Sequence, residues 1–204
     1  TIRPASFCGV TGFKPSLGRL PLDGFIPFAP STDHPGFFGV NPREIASVMA
    51  VLDPKWRQSA LPGKLRLALP TGPYLNDALP QTISWLRDQT KVVAARLEKQ
   101  GCILEFIEIP CLEDIEGIRN RHNQLVAFET APVHEKWFNR FGMLYRPRTA
   151  QLVLEGRAVK AEEAEAALAS RLELRQRMHG LMKKHEVDFW YCPASVGEAP
   201  LITS

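Results

Sequence analysis

The chain has 204 residues, of which 45% are hydrophobic, enough to bury a core for one domain or two small ones. Its formal net charge is only +3, from 25 basic and 22 acidic residues without blocks of like charge, which argues against nucleic-acid and membrane-surface partners. No apolar run approaches the ~18 residues that span a bilayer, and the four cysteines form no Cys-x-x-Cys pair, so we expect a cytoplasmic protein with reduced thiols.

The first predicted elements are a loop-rich segment, a helix and a strand. Glycine or proline recurs at every third position between residues 9 and 27, which indicates a segment without long regular elements. Asn41-Pro42-Arg43-Glu44 offers a cap acceptor, a proline suited to the first helical position and a glutamate that can reach back to the cap amide, which predicts a helix over 42–52. Leucine alternates with other residues over 64–70, as in a strand.

A second helix and a second strand follow. Ile83, Leu86, Val93 and Leu97 share one helical face, which predicts a helix over about 80–100, and Gly101 can end it. The apolar run 102–109 is stopped by a proline and predicts a strand. Strand, long helix and strand are typical of a parallel crossover unit, so the expected fold class is α/β, a layered mixed sheet covered by helices.

The rest of the chain is predicted to be mainly helical. Long helical stretches are expected over about 112–141 and 149–186, with breaks near Pro132 and at 142–147. Residues 187–192 are rich in strand formers, which predicts a third strand leading into a loop over 194–204. The chain then divides into a loop region (1–40), an α/β unit (41–110), a helical cover (111–186) and a late strand with its loop (187–204).

Motifs of self-contained sites are missing from the sequence. It has no G-x-S-x-G, H-E-x-x-H, G-x-G-x-x-G or phosphate-binding Gly-Lys-Ser/Thr motif. The five histidines have no spacing that places two on one face as ligands, so we expect no metal and no cofactor. Cys8 follows Phe7 in an apolar context and is expected to be a small core residue rather than a nucleophile.

The first forty residues carry the most informative motif. Residues 1–19 read T-I-R-P-A-S-F-C-G-V-T-G-F-K-P-S-L-G-R, and residues 24–36 read G-F-I-P-F-A-P-S-T-D-H-P-G. This stretch resembles the second half of the amidase signature, in which Gly-Gly-Ser directly precedes such a run. The proline-rich segment 193–200 is similar to a loop that follows a late strand in the same family. The resemblance therefore covers nearly the whole chain and implies an incomplete amidase-signature fold.

The resemblance implies hydrolysis of a small-molecule amide by a serine nucleophile, a second serine joined by a cis peptide bond and a lysine base. Backbone amides of the glycine-rich turn form the oxyanion hole. In the family all these groups precede the position of Thr1, so we expect the nucleophile directly before Thr1 and no activity from the chain alone. A shifted register would make Thr1 itself the nucleophile, but that requires a self-processing fold and is less favoured.

Four residues are implied as supports of the active site, namely Arg3, Cys8, Ser31 and Asp33. Arg3 would brace the glycine-rich turn. Ser31 and Asp33 would fix a turn near the active-site mouth through side-chain to backbone hydrogen bonds.

Two alternative functions stay open. A glutamine amidotransferase A-type subunit uses the same fold and triad to release ammonia, and a non-catalytic binding module would keep the scaffold alone. We also expect unpaired sheet edges and exposed apolar faces to favour homo-oligomers or aggregation.

Overall fold

The computed structural model describes residues 1–57 and 63–201. The elements are α1 (Ile2–Phe7), β1 (Thr11–Phe13), β2 (Phe37–Gly39), α2 (Pro42–Leu52), β3 (Arg66–Thr71), α3 (Pro80–Glu98), β4 (Ile103–Glu108), α4 (Ile115–Phe141), α5 (Pro147–Ala158), α6 (Ala161–Lys184) and β5 (Phe189–Trp190). Short 3₁₀ turns lie at Gly72–Leu75, Pro110–Leu112 and Gly142–Leu144. The chain divides into two compact units. The first unit comprises Thr1–Leu20, Pro35–Glu113 and Met178–Ser204, and the second comprises Pro21–His34 and Asp114–Arg177.

The first unit holds the strands of the described residues in two sheets. β3 lies between β4 and β5 and is parallel to both. Arg66 of β3 is paired with Ile103 of β4, and Leu67 of β3 is paired with Phe189 of β5. The connection from β3 through α3 to β4 is the predicted parallel crossover, and the α/β class is confirmed. β1 and β2 form a separate antiparallel pair.

The capping motif sets the start of α2. Asn41 Oδ1 accepts hydrogen bonds from the backbone N–H groups of Arg43 at 3.0 Å and Glu44 at 3.2 Å. The Glu44 carboxylate in turn accepts from the Val40 N–H at 2.8 Å and from the Asn41 side-chain amide at 3.3 Å. These bonds satisfy donors that a helix start leaves without intrahelical partners. The helix therefore spans the predicted residues, 42–52.

The core of the first unit consists of two buried clusters, one at the β1–β2 pair and one at the parallel sheet. Ile45 and Met49 of α2 are buried and pack beneath the β1–β2 pair. Ala68, Ile107 and Val187 form a second buried cluster that joins β3, β4 and the residues before β5. Removing these apolar side chains from water is the main stabilising contribution of the sheet.

Two helical boundaries differ from the expectation. The predicted break near Pro132 is wrong, because α4 runs through this residue from Ile115 to Phe141. Proline removes one backbone hydrogen bond, but the buried Ala127 and Ala131 lie where α4 and α5 contact each other, and this packing offsets the loss. The stretch predicted over 149–186 is two helices, since Val159 has an extended backbone with φ −71° and ψ 130°.

The predicted break at 142–147 and the third strand are both present. The strand is shorter than predicted, Phe189–Trp190, and the last residues of the predicted loop, 202–204, lie outside the described residues. The division of the chain into four segments and the role of 111–186 as a cover stay predictions. In the described part of the chain, the helices lack the combined length and hydropathy that crossing a membrane requires.

Candidate functional site

Two glycines hold α1 against the β1–β2 pair. A β-carbon at Gly12 would lie 2.6 Å from the Ala5 Cβ, and one at Gly36 would overlap the Thr1 side chain, 2.9 Å from its Cγ2. Ala5 is 2% exposed, so it has little room to move. The close approach explains why glycine stands at position 12 of the motif. It also places Thr1 and α1 against the β1–β2 pair.

A cavity of about 550 Å³ opens beside α1. Its walls come from α1, from the start of α3 and from the segment after β5. Among its lining residues are Ser6, Thr82, Trp85, Tyr191, Ser195 and Glu198. The volume lies within the range of ligand-binding clefts, so this cavity is the candidate functional site of the first unit.

The segment after β5 is fastened to the start of α3. The Val196 carbonyl accepts hydrogen bonds from the Leu79 N–H at 2.8 Å and from Thr82 Oγ1 at 2.9 Å. Ser195 Oγ donates to the carbonyl of Gly197. A β-carbon at Gly197 would lie 2.5 Å from Leu79 Cδ1, so glycine permits this close approach. These contacts give the cavity a defined wall.

Two tyrosines support the same wall. The Tyr74 hydroxyl donates to the Pro193 carbonyl at 3.4 Å, and the Tyr191 N–H donates to the Ala68 carbonyl at 2.8 Å. Burial raises the pKa of Tyr74 well above its usual range, and hydrogen bonding with Cys192 raises it further. Burial also raises the pKa of Tyr191. Both hydroxyls therefore stay protonated at neutral pH, and that of Tyr74 acts as a hydrogen-bond donor.

The cavity combines apolar surface with neutral polar groups. Trp85 is 57% exposed, whereas its neighbour Leu86 is only 4% exposed and lies beneath the wall. Glu198 is the only Asp, Glu, Lys or Arg among the described residues that line the cavity. Such a lining suits a ligand that is mainly apolar with a few neutral polar atoms. Across residues 1–57 and 63–201, no group of three or more His, Cys, Asp or Glu side chains is arranged to hold a metal ion.

Arg3 and Cys8, two of the predicted support residues, lie in α1 and at its end. Arg3 is exposed. Cys8 is an exposed free thiol, so the expectation of a small core residue is wrong. It is the last residue of the helical turn before Gly9, whose φ of 65° lets the chain reverse at the surface. Their roles as supports of an active site stay predictions, and the α1 wall of the cavity is formed by Ser6.

Ser31 and Asp33 belong to the second unit. The Asp33 carboxylate accepts hydrogen bonds from the backbone N–H groups of Phe28 at 2.8 Å and Ala29 at 3.1 Å, so the predicted turn is confirmed. Ser31 acts differently, because its hydroxyl accepts from Arg171 Nη1 of α6 at 2.8 Å. The predicted position of this turn at an active-site mouth stays a prediction.

The sequence gives no expectation for Trp85, although a signal is present. Trp85 lies away from the apolar face that Ile83 and Leu86 define, and a tryptophan on the polar side of an amphipathic helix indicates a surface with another use. Ser6 and Tyr191 carry no comparable signal, since only the fold brings α1 and the end of β5 together.

Known proteins are similar to this chain in sequence and in fold. A model of the family described as Amidase matches residues 2–204. The A-type subunit of the glutamyl-tRNA(Gln) amidotransferase of a Sulfurihydrogenibium species is 33% identical over 124 residues, which cover 53% of this chain and 25% of that protein. The indoleacetamide hydrolase of Agrobacterium vitis is 33% identical over 116 residues, which cover 56% of this chain and 24% of that protein. The chain thus spans about a quarter of the length of these relatives.

The fold is also similar to that of a solved protein. The crystal structure of an amidase superposes with a TM-score of 0.83 at 24% sequence identity. The superposition covers 98% of this chain and 44% of that one.

Proposed function

This chain belongs to the amidase family, and on that premise we propose that it forms part of an enzyme that hydrolyses the C–N bond of a small carboxylic amide. The observation that carries the proposal is the cavity beside α1. In the amidase signature the nucleophile directly precedes the residue that aligns with Thr1, and Thr1 is the N-cap of α1. Ser6 of the same helix lines the cavity. We propose that a substrate in the cavity extends towards the nucleophile at the start of this helix.

The proposed reaction uses the serine nucleophile, the second serine and the lysine of the signature. The serine hydroxyl adds to the amide carbonyl carbon, and its proton passes through the second serine to the neutral lysine. The C–N bond then breaks and the amine leaves with a proton. Water hydrolyses the resulting acyl ester, which releases the carboxylate and restores the serine. We propose that residues 1–204 supply the helix that follows the nucleophile and a wall of the cavity, while the reacting groups lie outside them.

A segment exchange tests this proposal. Residues 1–204 replace the corresponding segment of the Agrobacterium vitis indoleacetamide hydrolase, and the chimera is assayed with simple amides and with a fluorophosphonate that labels reactive serines. We expect turnover and labelling of the chimera, and neither for the 204-residue chain alone. A control chimera with the host nucleophile changed to alanine is expected to lose both signals.

Two outcomes would contradict the proposal. A chimera with a cooperative melt but no labelling would favour the non-catalytic module. Turnover by the 204-residue chain alone would place the nucleophile within it.

A second candidate function is that of a glutamine amidotransferase component. It is favoured by the similarity to the A-type subunit of a glutamyl-tRNA(Gln) amidotransferase. A glutamine-dependent release of ammonia, together with copurification of partner proteins, would distinguish this function from that of a free-standing amidase. A preference for other amides over glutamine would count against it.

The proposal also includes a cytoplasmic location and self-association of the chain. The four cysteines are free thiols, which supports a reducing compartment such as the cytoplasm. β4 and β5 are the outer strands of the parallel sheet in the described residues, and Phe106 of β4 is 63% exposed. An open edge with exposed apolar side chains favours self-association. Size-exclusion chromatography of the chain is expected to show species larger than a monomer, and a well-behaved monomer would contradict this part.

A further inference from the structure

We infer that the cavity beside α1 binds the aromatic group of an uncharged amide and that Trp85 selects for it. The amide part of the ligand rests on the proposed function. The preference for a neutral aromatic group comes from the cavity itself and can be measured without turnover.

The preference for an aromatic ring follows from the exposure of Trp85. Its side chain lines the cavity and is 57% exposed, so much of the indole surface is accessible to water. A flat ring placed on it removes apolar surface of both partners from water and adds an aromatic contact. An aliphatic ring of similar size gains only the burial of apolar surface and not the aromatic contact. Tyr191 provides a second aromatic side chain in the same wall.

The preference for an uncharged ligand follows from the polar groups. An anion would lose hydration without a Lys or Arg to replace it, since the described lining residues include neither. A cation has Glu198, but this residue is exposed, and exposed ion pairs contribute little. The Ser195 and Thr82 hydroxyls donate their protons to backbone carbonyls, so their oxygen atoms can accept hydrogen bonds from the N–H groups of an amide. A neutral amide therefore loses less hydration free energy on entering the cavity than an anion or a cation does.

Four ligands of similar size test the two preferences with the 204-residue chain, by calorimetry or ligand-observed NMR. They are phenylacetamide, cyclohexylacetamide, phenylacetate and 2-phenylethylamine. We expect phenylacetamide to bind about fivefold more tightly than each of the others, in keeping with one aromatic contact or one uncompensated charge. Equal affinities for phenylacetamide and cyclohexylacetamide, or no binding of phenylacetamide, would overturn the inference.

Variants assign the preference to Trp85. Trp85→Ala is expected to weaken phenylacetamide binding about tenfold and to remove its advantage over cyclohexylacetamide, whereas Trp85→Phe retains that advantage. Trp137→Ala is the matched control, because Trp137 is 45% exposed and lies in α4 of the second unit. It is expected to bind like the parent chain. Circular dichroism verifies that each variant is folded, and an unchanged affinity of folded Trp85→Ala would overturn the assignment.

The two proposals fail in different ways. Binding of phenylacetamide to the chain without turnover by the folded chimera contradicts the proposed hydrolase and supports the aromatic site. Turnover of aliphatic amides by the chimera, with no aromatic preference in the chain, contradicts the aromatic site alone.

Discussion

Gly156 of α5 faces the backbone of Ala127 in α4 so closely that a side chain at position 156 has no space. A β-carbon there would overlap the Ala127 carbonyl oxygen and lie 2.9 Å from the Ala131 Cβ. Ala127 and Ala131 are 3% and 6% exposed, so this contact is part of the core of the second unit. The glycine allows α4 and α5 to pack backbone to backbone.

We predict that Gly156→Ala destabilises the chain by more than about 2 kcal/mol, because helix backbones must move apart to admit the methyl group. The matched control is Gly180→Ala in α6, where a β-carbon meets nothing within 4 Å. That change is expected to stabilise the chain by about 0.5–1 kcal/mol, since alanine is the better helix former. Urea unfolding of the two variants gives both values, and equal stabilities would contradict the packing described.

The helix over 42–52 could be predicted from the sequence because its determinants are local. Asn41 and Glu44 lie within a few residues of the N–H groups that they satisfy. The continuation of α4 through Pro132 could not be predicted, since it depends on packing against α5, distant in sequence. Local propensity favours a break at proline, and here the tertiary contact outweighs it.

In the candidate site, too, local features could be predicted from the sequence, whereas features that depend on tertiary contacts could not. The role of Asp33 in a turn is local and was predictable, because aspartate bonds to backbone amides a few residues away. The cavity joins Ser6, Trp85 and Tyr191, which the sequence separates by many residues. A motif comparison finds the family through residues 1–36, whereas the grouping of the residues that line the cavity emerges only from the fold.

Asp33 is expected to stabilise the loop of the second unit through its carboxylate. Asp33→Ala removes the acceptor of the Phe28 and Ala29 N–H groups, and Ala29 is 0% exposed, so water cannot easily replace it. We expect a loss of about 1–2 kcal/mol and faster hydrogen exchange of these two amides. Asp33→Asn keeps one acceptor oxygen, so its stability is expected to lie between that of the parent chain and that of Asp33→Ala. Asp23→Ala is the control, since Asp23 is exposed in the same loop region, and an equal loss in both alanine variants would contradict the role of Asp33.

Asp53 is expected to make the stability of the chain sensitive to acid. Its carboxylate accepts hydrogen bonds from the Lys55 N–H at 2.9 Å and from Arg19 Nε at 2.8 Å. Both bonds hold the pKa of Asp53 below its usual value, and the bond from Lys55 has the larger effect. A carboxyl group with a lowered pKa in the folded state stabilises the fold above its unfolded pKa of about 4. This contribution disappears as the pH falls through the lower folded value.

Unfolding measured between pH 6 and pH 3 tests this dependence. The parent chain is expected to lose more stability over this range than Asp53→Asn, which has no carboxyl group to protonate. Asp88→Asn is the control, because Asp88 pairs with Lys91 at the surface, where its side chain is 67% exposed. It is expected to follow the parent chain. An Asp53→Asn profile as steep as that of the parent would contradict the assignment.

Arg171 is expected to influence the titration of His122. Arg171 Nη1 donates to the hydroxyl of Ser31 at 2.8 Å and to its carbonyl at 3.1 Å, so the guanidinium is held in place inside the second unit. Its other terminal nitrogen, Nη2, is buried and has no hydrogen-bond partner among the described residues. Burial lowers the pKa of His122, and the positive charge of Arg171 lowers it further.

Arg171→Gln removes the charge but not the burial, so the pKa of His122 is expected to rise towards its usual value without reaching it. An NMR titration of the His122 ring protons measures the change. The matched control is Arg175→Gln, an exposed arginine one turn further along α6, which is expected to leave the titration unchanged. A histidine with a lowered folded pKa loses its stabilising contribution as the pH falls below its unfolded value, about 6.5. Arg171→Gln is therefore also expected to reduce the loss of stability on acidification through this range. A His122 titration that Arg171→Gln does not alter would show that burial alone determines its pKa.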